Sequence, residues 1–135
     1  MSGQRATDDA RTITLAELPG RPCAIAASLE VVGDRWALLV VREVALGNHR
    51  FTEIARGTGA PRDRLAARLV DLVDAGVLER RPYQGTRCEY HLTAAGRELV
   101  PILERLYAWG RRHAVAIDDP DRHRRAPWRL DEETS

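Results

Sequence analysis

Residues 50–92, RFTEIARGTGAPRDRLAARLVDLVDAGVLERRPYQGTRCEYHL, decide the fold. Phe51, Ile54 and Ala55 mark a short helix that runs out near Gly57-Thr58-Gly59, and a second helix begins at Pro61. In the second, Leu65, Leu69, Leu72 and Val73 recur at helical spacing on one face, while Asp63, Arg64, Ala67, Arg68 and Asp71 take the opposite one. Two short helices joined by a tight glycine-containing turn, the second with arginines on its free face, describe a helix-turn-helix. Asp74-Ala75-Gly76 closes that helix, and the hydrophobic period then falls from 3.6 to about 2. Residues 77–83 and 87–92 read as two strands, the second alternating Cys88, Tyr90 and Leu92 against Glu89 and His91, with Gln84-Gly85-Thr86 as the turn. Pro82 lacks a ladder donor and suits an edge or a strand end. A hairpin directly after a recognition helix is a wing.

On the N-terminal side, Thr14 and Glu17 have capping-box spacing and predict a short turn stopped by Pro19-Gly20. Pro22 opens an amphipathic helix with Ile25, Leu29 and Val32 on one face, ended by Gly33. Asp34 caps a further helix from Trp36 to Leu46 that is apolar on nearly all sides, so it must be central and covered. On the C-terminal side, Thr93 caps a long helix with Leu99, Ile102, Leu103, Leu106 and Trp109 in one broad stripe, extended weakly by Ile117. Pro101 inside it predicts a kink near Arg97 or Glu98. The stripe can pack on its own core or on a second copy, and an isologous dimer is the preferred expectation. Expected boundaries are a flexible arm over 1–13, a winged domain over 14–117 with its dimerisation helix at 93–117, and a charged tail over 118–135 in which Trp128 offers an anchor. The fold class is mainly α with a small β-hairpin wing, dimerising through terminal helices.

At 135 residues the chain is one domain's worth and needs no disulfide or metal to hold a core. No apolar run is long enough to span a bilayer, and the polar N-terminus lacks a signal-peptide core, so a cytoplasmic protein with no membrane partner is expected. The net charge is +1, from 21 arginines against 20 acids with no lysine, which by itself speaks against a nucleic-acid binder. The charge is uneven, however. Residues 50–68 carry Arg50, Arg56, Arg62, Arg64 and Arg68 against only Glu53 and Asp63, a local +3. A solvated helix face is the plain alternative for that surplus.

Cys23 and Cys88 lie 65 positions apart without CxxC spacing, and the four histidines are scattered. No metal site, no cofactor site and no phosphate loop or nucleophile motif follows from such a pattern, so no enzyme is expected.

Cys23 at a helix start, Gly33-Asp34-Arg35-Trp36 with Leu38-Leu39 after it, Arg50-Phe51-Thr52-Glu53-Ile54, Leu65-Ala66-Ala67-Arg68-Leu69, Leu72 through Arg80, and Glu89-Tyr90-His91-Leu92-Thr93 together resemble the HxlR family of bacterial winged-helix transcriptional regulators, relatives of the MarR type. The likeness covers about residues 22–110. It implies a homodimeric bacterial regulator, a repressor by expectation, whose recognition helix enters the major groove of a palindromic double-stranded operator and whose wing touches the flanking minor groove or backbone. Pro61 stands where the family often has a small capping residue, and Ala60 where it has a larger apolar one. The wing loop between Tyr83 and Cys88 is about two residues shorter than the family's, and Arg64 replaces an apolar or small polar residue.

Arg64 and Arg68 lie one turn apart with the small Ala67 between them, and an arginine fork matches guanine O6 and N7, so both are candidates for base readout. Arg62 can project from the helix end, beside Asp63, toward a phosphate near the helix N-terminus. Arg50, and Thr86 with Arg87 at the wing, are candidate backbone contacts. Ordinary surface ion pairing, such as Arg64 or Arg68 with Asp71, is the alternative. Cys23 sits at a helix start beside Arg21, where macrodipole and cation favour a thiolate, and some members of the resembled family sense oxidants through a cysteine in this region. A buried small hydrophobe is the competing view of Cys23, and Cys88 reads as core. Trp36 and Trp109, with the apolar helix 36–46, offer walls for a small aromatic effector, although aromatic residues at helical spacing more often form core. A winged-helix protein-interaction module without specific DNA binding is the alternative function, favoured by the near-neutral total charge.

Overall fold

The computed structural model describes residues 13–18 and 22–120. The expected arm, the Pro19-Gly20 stop, Arg21 and most of the tail with Trp128 lie outside the described residues. Two compact units divide the chain, Met1–Arg97 and Glu98–Ser135, so the division falls inside the segment 93–117.

In the first unit a 3-10 turn at Leu15–Glu17 precedes four helices: α1 (Ala24–Val32), α2 (Ala37–Ala45), α3 (Phe51–Thr58) and α4 (Arg62–Asp74). The antiparallel strands β1 (Leu78–Gln84) and β2 (Arg87–Leu92) follow, and then the single turn α5 (Ala94–Arg97). The expected box at Thr14 does not form. Glu17 N–H instead donates to the Thr14 carbonyl at 2.8 Å, so the turn closes through its backbone.

Helix α2 is central, as its apolar run demands. It packs against α1, α3, α4 and β2, and Val40 and Val41 are fully buried. It starts one residue later than expected because Asp34 lies in a preceding turn, where its Oδ1 accepts from Ala37 N–H at 2.8 Å. Helix α1 departs further from expectation. Val32 is buried, but Ile25 and Leu29 are 73% and 58% exposed in the single chain.

The run read as apolar contains Glu43, which is fully buried. Its Oε2 takes the Arg42 guanidinium at 2.9 Å and its Oε1 accepts from Asn48 Nδ2 at 2.8 Å, while Arg42 Nη2 donates to the Gly57 carbonyl at 2.9 Å. A buried charge survives only when paired and hydrogen-bonded in this way, and the network ties α2, the following loop and α3 together.

Gly59 turns the chain between α3 and α4 with φ of +73°, a conformation that costs glycine little. Helix α4 then lays Leu65, Leu69 and Leu72 into the core, each at most 1% exposed. The strand register runs from Leu78 opposite Leu92 to Pro82 opposite Cys88, and then slips so that Gln84 faces Arg87. Tyr83 is the extra residue of this bulge. Burial along β2 does not alternate as expected: Cys88 through Leu92 are all half-buried. The face carrying Glu89 and His91 is covered because the His91 ring stacks on His49 with centroids 4.0 Å apart.

Thr93 caps α5 as expected, its Oγ1 accepting from Gly96 N–H at 3.0 Å. The expected kink is a full interruption at Glu98-Leu99. In the second unit, α6 (Val100–His113) begins with Pro101 in its first turn, where a backbone N–H has no partner within the helix to lose. Of its stripe, Leu103 is buried and Leu99 half-buried, whereas Ile102, Leu106 and Trp109 are each more than half exposed.

Candidate nucleic-acid interface

The leucine face of α4 anchors the helix, which leaves Asp63, Arg64 and Ala67 exposed on the other side. Arg64 has no carboxylate partner among the described residues. A cleft of about 290 Å³ opens here, lined by Asp34, Arg35, Trp36, Arg64, Ala67 and Arg68. Arg35 is exposed and lies over the Trp36 ring, 4.8 Å from its centroid. It adds a cation to this surface that the spacing on α4 alone does not reveal, although its adjacency to Trp36 in the chain is visible.

The freedom expected of the Arg68 fork is not what the fold provides. Nη1 meets Asp34 Oδ2 at 2.9 Å and Nη2 meets Asp71 Oδ2 at 2.7 Å. The Asp71 pair is the local ion pair weighed from spacing, while the Asp34 partner comes from 34 positions away. The Arg62 guanidinium lies over the Phe51 ring, 4.7 Å from the centroid, which steadies it beside the helix N-terminus.

The wing approaches the start of α3. Arg50 lies over the bulged Tyr83 ring at 4.3 Å and 3.5 Å from Glu89, and Glu53 Oε1 accepts from the N–H groups of both His49 and Arg50. Arg50, Phe51, Thr52, Tyr83, Arg87 and Cys88 line a cleft of about 420 Å³. Thr86 and Arg87 are exposed at the hairpin tip. A hydrogen bond from His91 at 3.0 Å, aided by the Arg50 charge, holds the Glu89 carboxyl below its ordinary range even though partial burial opposes this.

Cys23 is exposed rather than buried and caps α1, its Sγ accepting from Ala26 N–H at 3.2 Å. Cys88 is half-buried; Arg80 Nη2 donates to its Sγ at 3.4 Å, and this contact raises the Arg80 pKa. Trp36 and Trp109 line different hollows: Trp109 shares an open apolar groove of about 460 Å³ with Ile102, Arg105 and Leu106 on α6. Among the described residues no three metal-ligating side chains cluster, and no helix is long and apolar enough to cross a membrane.

The sequence profile of the HxlR-like helix-turn-helix family matches residues 31–118. The chain belongs to this family. An uncharacterized HTH-type transcriptional regulator of Mycobacterium tuberculosis is 40% identical to this HxlR-like chain over 99 residues, which cover 72% of it and 63% of the relative. The chain therefore spans less than two thirds of that relative's length. The crystal structure of PA1607, which bears a transcription-factor designation, superposes with a TM-score of 0.68 at 40% identity, covering 72% of this chain and 69% of that one. The redox regulator HypR in its reduced form superposes with a TM-score of 0.60 at 28% identity, covering 65% and 90%. The winged helix-turn-helix architecture and the transcription-regulator family thus agree with the residue-level reading.

Proposed function

We propose that this HxlR-like protein is a sequence-specific DNA-binding repressor that grips a palindromic operator as a homodimer and catalyses no reaction. The observation that carries the proposal is the exposed Arg64–Ala67 face of α4, set opposite three buried leucines and flanked by a wing with Arg87 at its tip. Arg64 reads a base edge in the major groove. Arg62 and Arg35 near the helix, with Arg50, Thr86 and Arg87 at the wing, contact the phosphate backbone and set the register. The small Ala67 lets the helix approach, Asp63 faces the same surface from the first turn, and Arg68 lies beside the reader in a held position. Repression asks for occupancy of the operator and nothing beyond this surface.

The exposed Leu106, Ile102 and Trp109 of α6, with Leu99 and Leu103 alongside, supply the apolar area for a second copy. On this basis residues 14–117 act as one functional domain in a cytoplasmic, bacterial regulator, between the arm over 1–13 and the tail over 118–135. Two inputs fit the surface. Exposure of the Cys23 thiol at a helix start, together with likeness to a redox regulator, supports oxidant sensing. The hollows beside Trp36 and Trp109 suit a small aromatic effector.

Fluorescence anisotropy with DNA from upstream of the protein's own gene, titrated with salt, tests the proposal. A repressor shows a steep negative slope of log affinity against log salt. A protein-interaction module shows neither binding nor slope.

A further inference from the structure

The Asp34 carboxylate divides its two oxygens between two elements. Oδ1 accepts from Ala37 N–H at 2.8 Å and so caps α2, which fixes the group in place, while Oδ2 takes Arg68 Nη1 at 2.9 Å. Asp71 Oδ2 takes Arg68 Nη2 at 2.7 Å. Both terminal nitrogens of the fork are therefore turned toward carboxylates, whereas bidentate readout of guanine requires two donors aimed together at O6 and N7. The triad as a whole carries one net negative charge, on the surface that is to meet phosphates. All three side chains remain about a third exposed, at 35%, 31% and 37% for Asp34, Arg68 and Asp71. The clamp is open to solvent and salt rather than locked in the core.

We propose that Asp34, acting with Asp71, is a specificity-determining positioning residue: it withholds the Arg68 fork from the bases and leaves Arg64 as the arginine that reads sequence. The inference rests on the DNA-binding reading above. It gives the two arginines of α4 different tasks although they occupy equivalent faces one turn apart. A second free fork would add affinity for any guanine-rich or phosphate-rich surface, and the clamp suppresses that indiscriminate term.

The test uses the full chain and an operator selected from random DNA with the wild type. Asp34→Asn keeps an oxygen acceptor for Ala37 N–H, asparagine being as good a cap as aspartate, but turns an amide donor toward the guanidinium, which cannot pair with it. Asp71→Asn removes the second partner and, lying on exposed helix surface, supplies the same cycle should the other variant lose its circular dichroism. In the wild-type background Arg68→Gln is expected to change operator affinity by less than about two-fold. Asp34→Asn is expected to strengthen binding to random DNA about ten-fold, narrow the operator-to-random ratio and steepen the salt slope by about one. Adding Arg68→Gln removes this gain. Removing any acid near DNA favours binding, so Asp63→Asn is the control: its gain survives Arg68→Gln. Two outcomes overturn the clamp: a wild-type-background Arg68→Gln loss of about ten-fold or more, or an Asp34→Asn gain that persists without Arg68. A wild type that binds no DNA at all overturns the DNA-binding reading itself, a distinguishable failure.

Discussion

Replacing Gly57 by alanine sets two effects of opposite sign against each other. Gly57 is the penultimate residue of α3, where alanine's helix propensity favours folding by up to about 1 kcal/mol. A Cβ built there overlaps the Glu43 carboxylate, meeting its Oε1 first and its Cγ at 2.9 Å. The end of a flexible side chain ordinarily swings aside at small cost. Glu43 is not free to do so, because it is fully buried and its oxygens are bonded to Arg42 and Asn48. Displacing it leaves a buried charge short of partners, a loss of about 3–5 kcal/mol when such a pair is fully broken. Partial retention and the propensity gain leave a net destabilisation of about 2–4 kcal/mol. For a domain of this size that lowers Tm by roughly 7–14 °C. Urea denaturation followed by circular dichroism, with Asn48→Ala as a second probe of the same network, measures the cost. A Gly57→Ala protein as stable as the wild type, or more so, would refute the close approach of Glu43 and the claim that its network is held.

Arg64→Ala is expected to cost about 1–3 kcal/mol of operator binding and to relax preference at one base position, checked by salt-controlled gel shift against single-base variants. Leu106→Glu places a charge in the exposed stripe of α6 and is expected to yield monomers by light scattering that no longer hold a palindrome; a persistent dimer removes α6 from the interface. Because the Glu89 pKa is depressed, its ties to His91 and Arg50 stabilise the fold fully above its unfolded value, near 4.5. That contribution is lost as pH falls through the lower folded value. The stability gap between wild type and Glu89→Gln should therefore close on acidification below about pH 4.5, read from denaturation curves. Cys23→Ser is expected to abolish any fall in DNA affinity caused by diamide or peroxide, and a wild type indifferent to both excludes thiol sensing.

The recognition helix and its leucine face, the turn at Gly59, the wing and the Thr93 cap were all legible, because each depends on residues within a few positions of one another. What escaped depends on partners brought from afar. Arg68 has the spacing of a free reader on α4, and only the folded turn after α1 delivers Asp34 to it. Residues 50–68 sum to +3, but Asp34, Asp71 and Glu89 from outside that segment settle on Arg68 and Arg50 and cancel much of it. Glu43 was hidden by its neighbours, since a single acid in a valine-rich helix leaves the apolar periodicity nearly intact. Alternation along β2 failed for a related reason: the His49 ring, 42 positions from His91, covers the face that should have been solvated.

The wing has one further property, which concerns what it refuses to join. A two-stranded sheet has no interior strand; His49 covers the outer edge of β2 by bonding both the N–H and the carbonyl of Tyr90 at 2.8 Å, while β1 presents an outer row of backbone donors and acceptors to any extended chain nearby. Proline and positive charge are the ordinary deterrents to such strand addition, and β1 carries Arg80, Arg81 and Pro82 in succession while β2 opens with Arg87. The bulge at Tyr83 twists the ribbon further from a flat template. The β1 edge thus carries its own deterrents to strand addition, separate from the Arg87 charge at the tip.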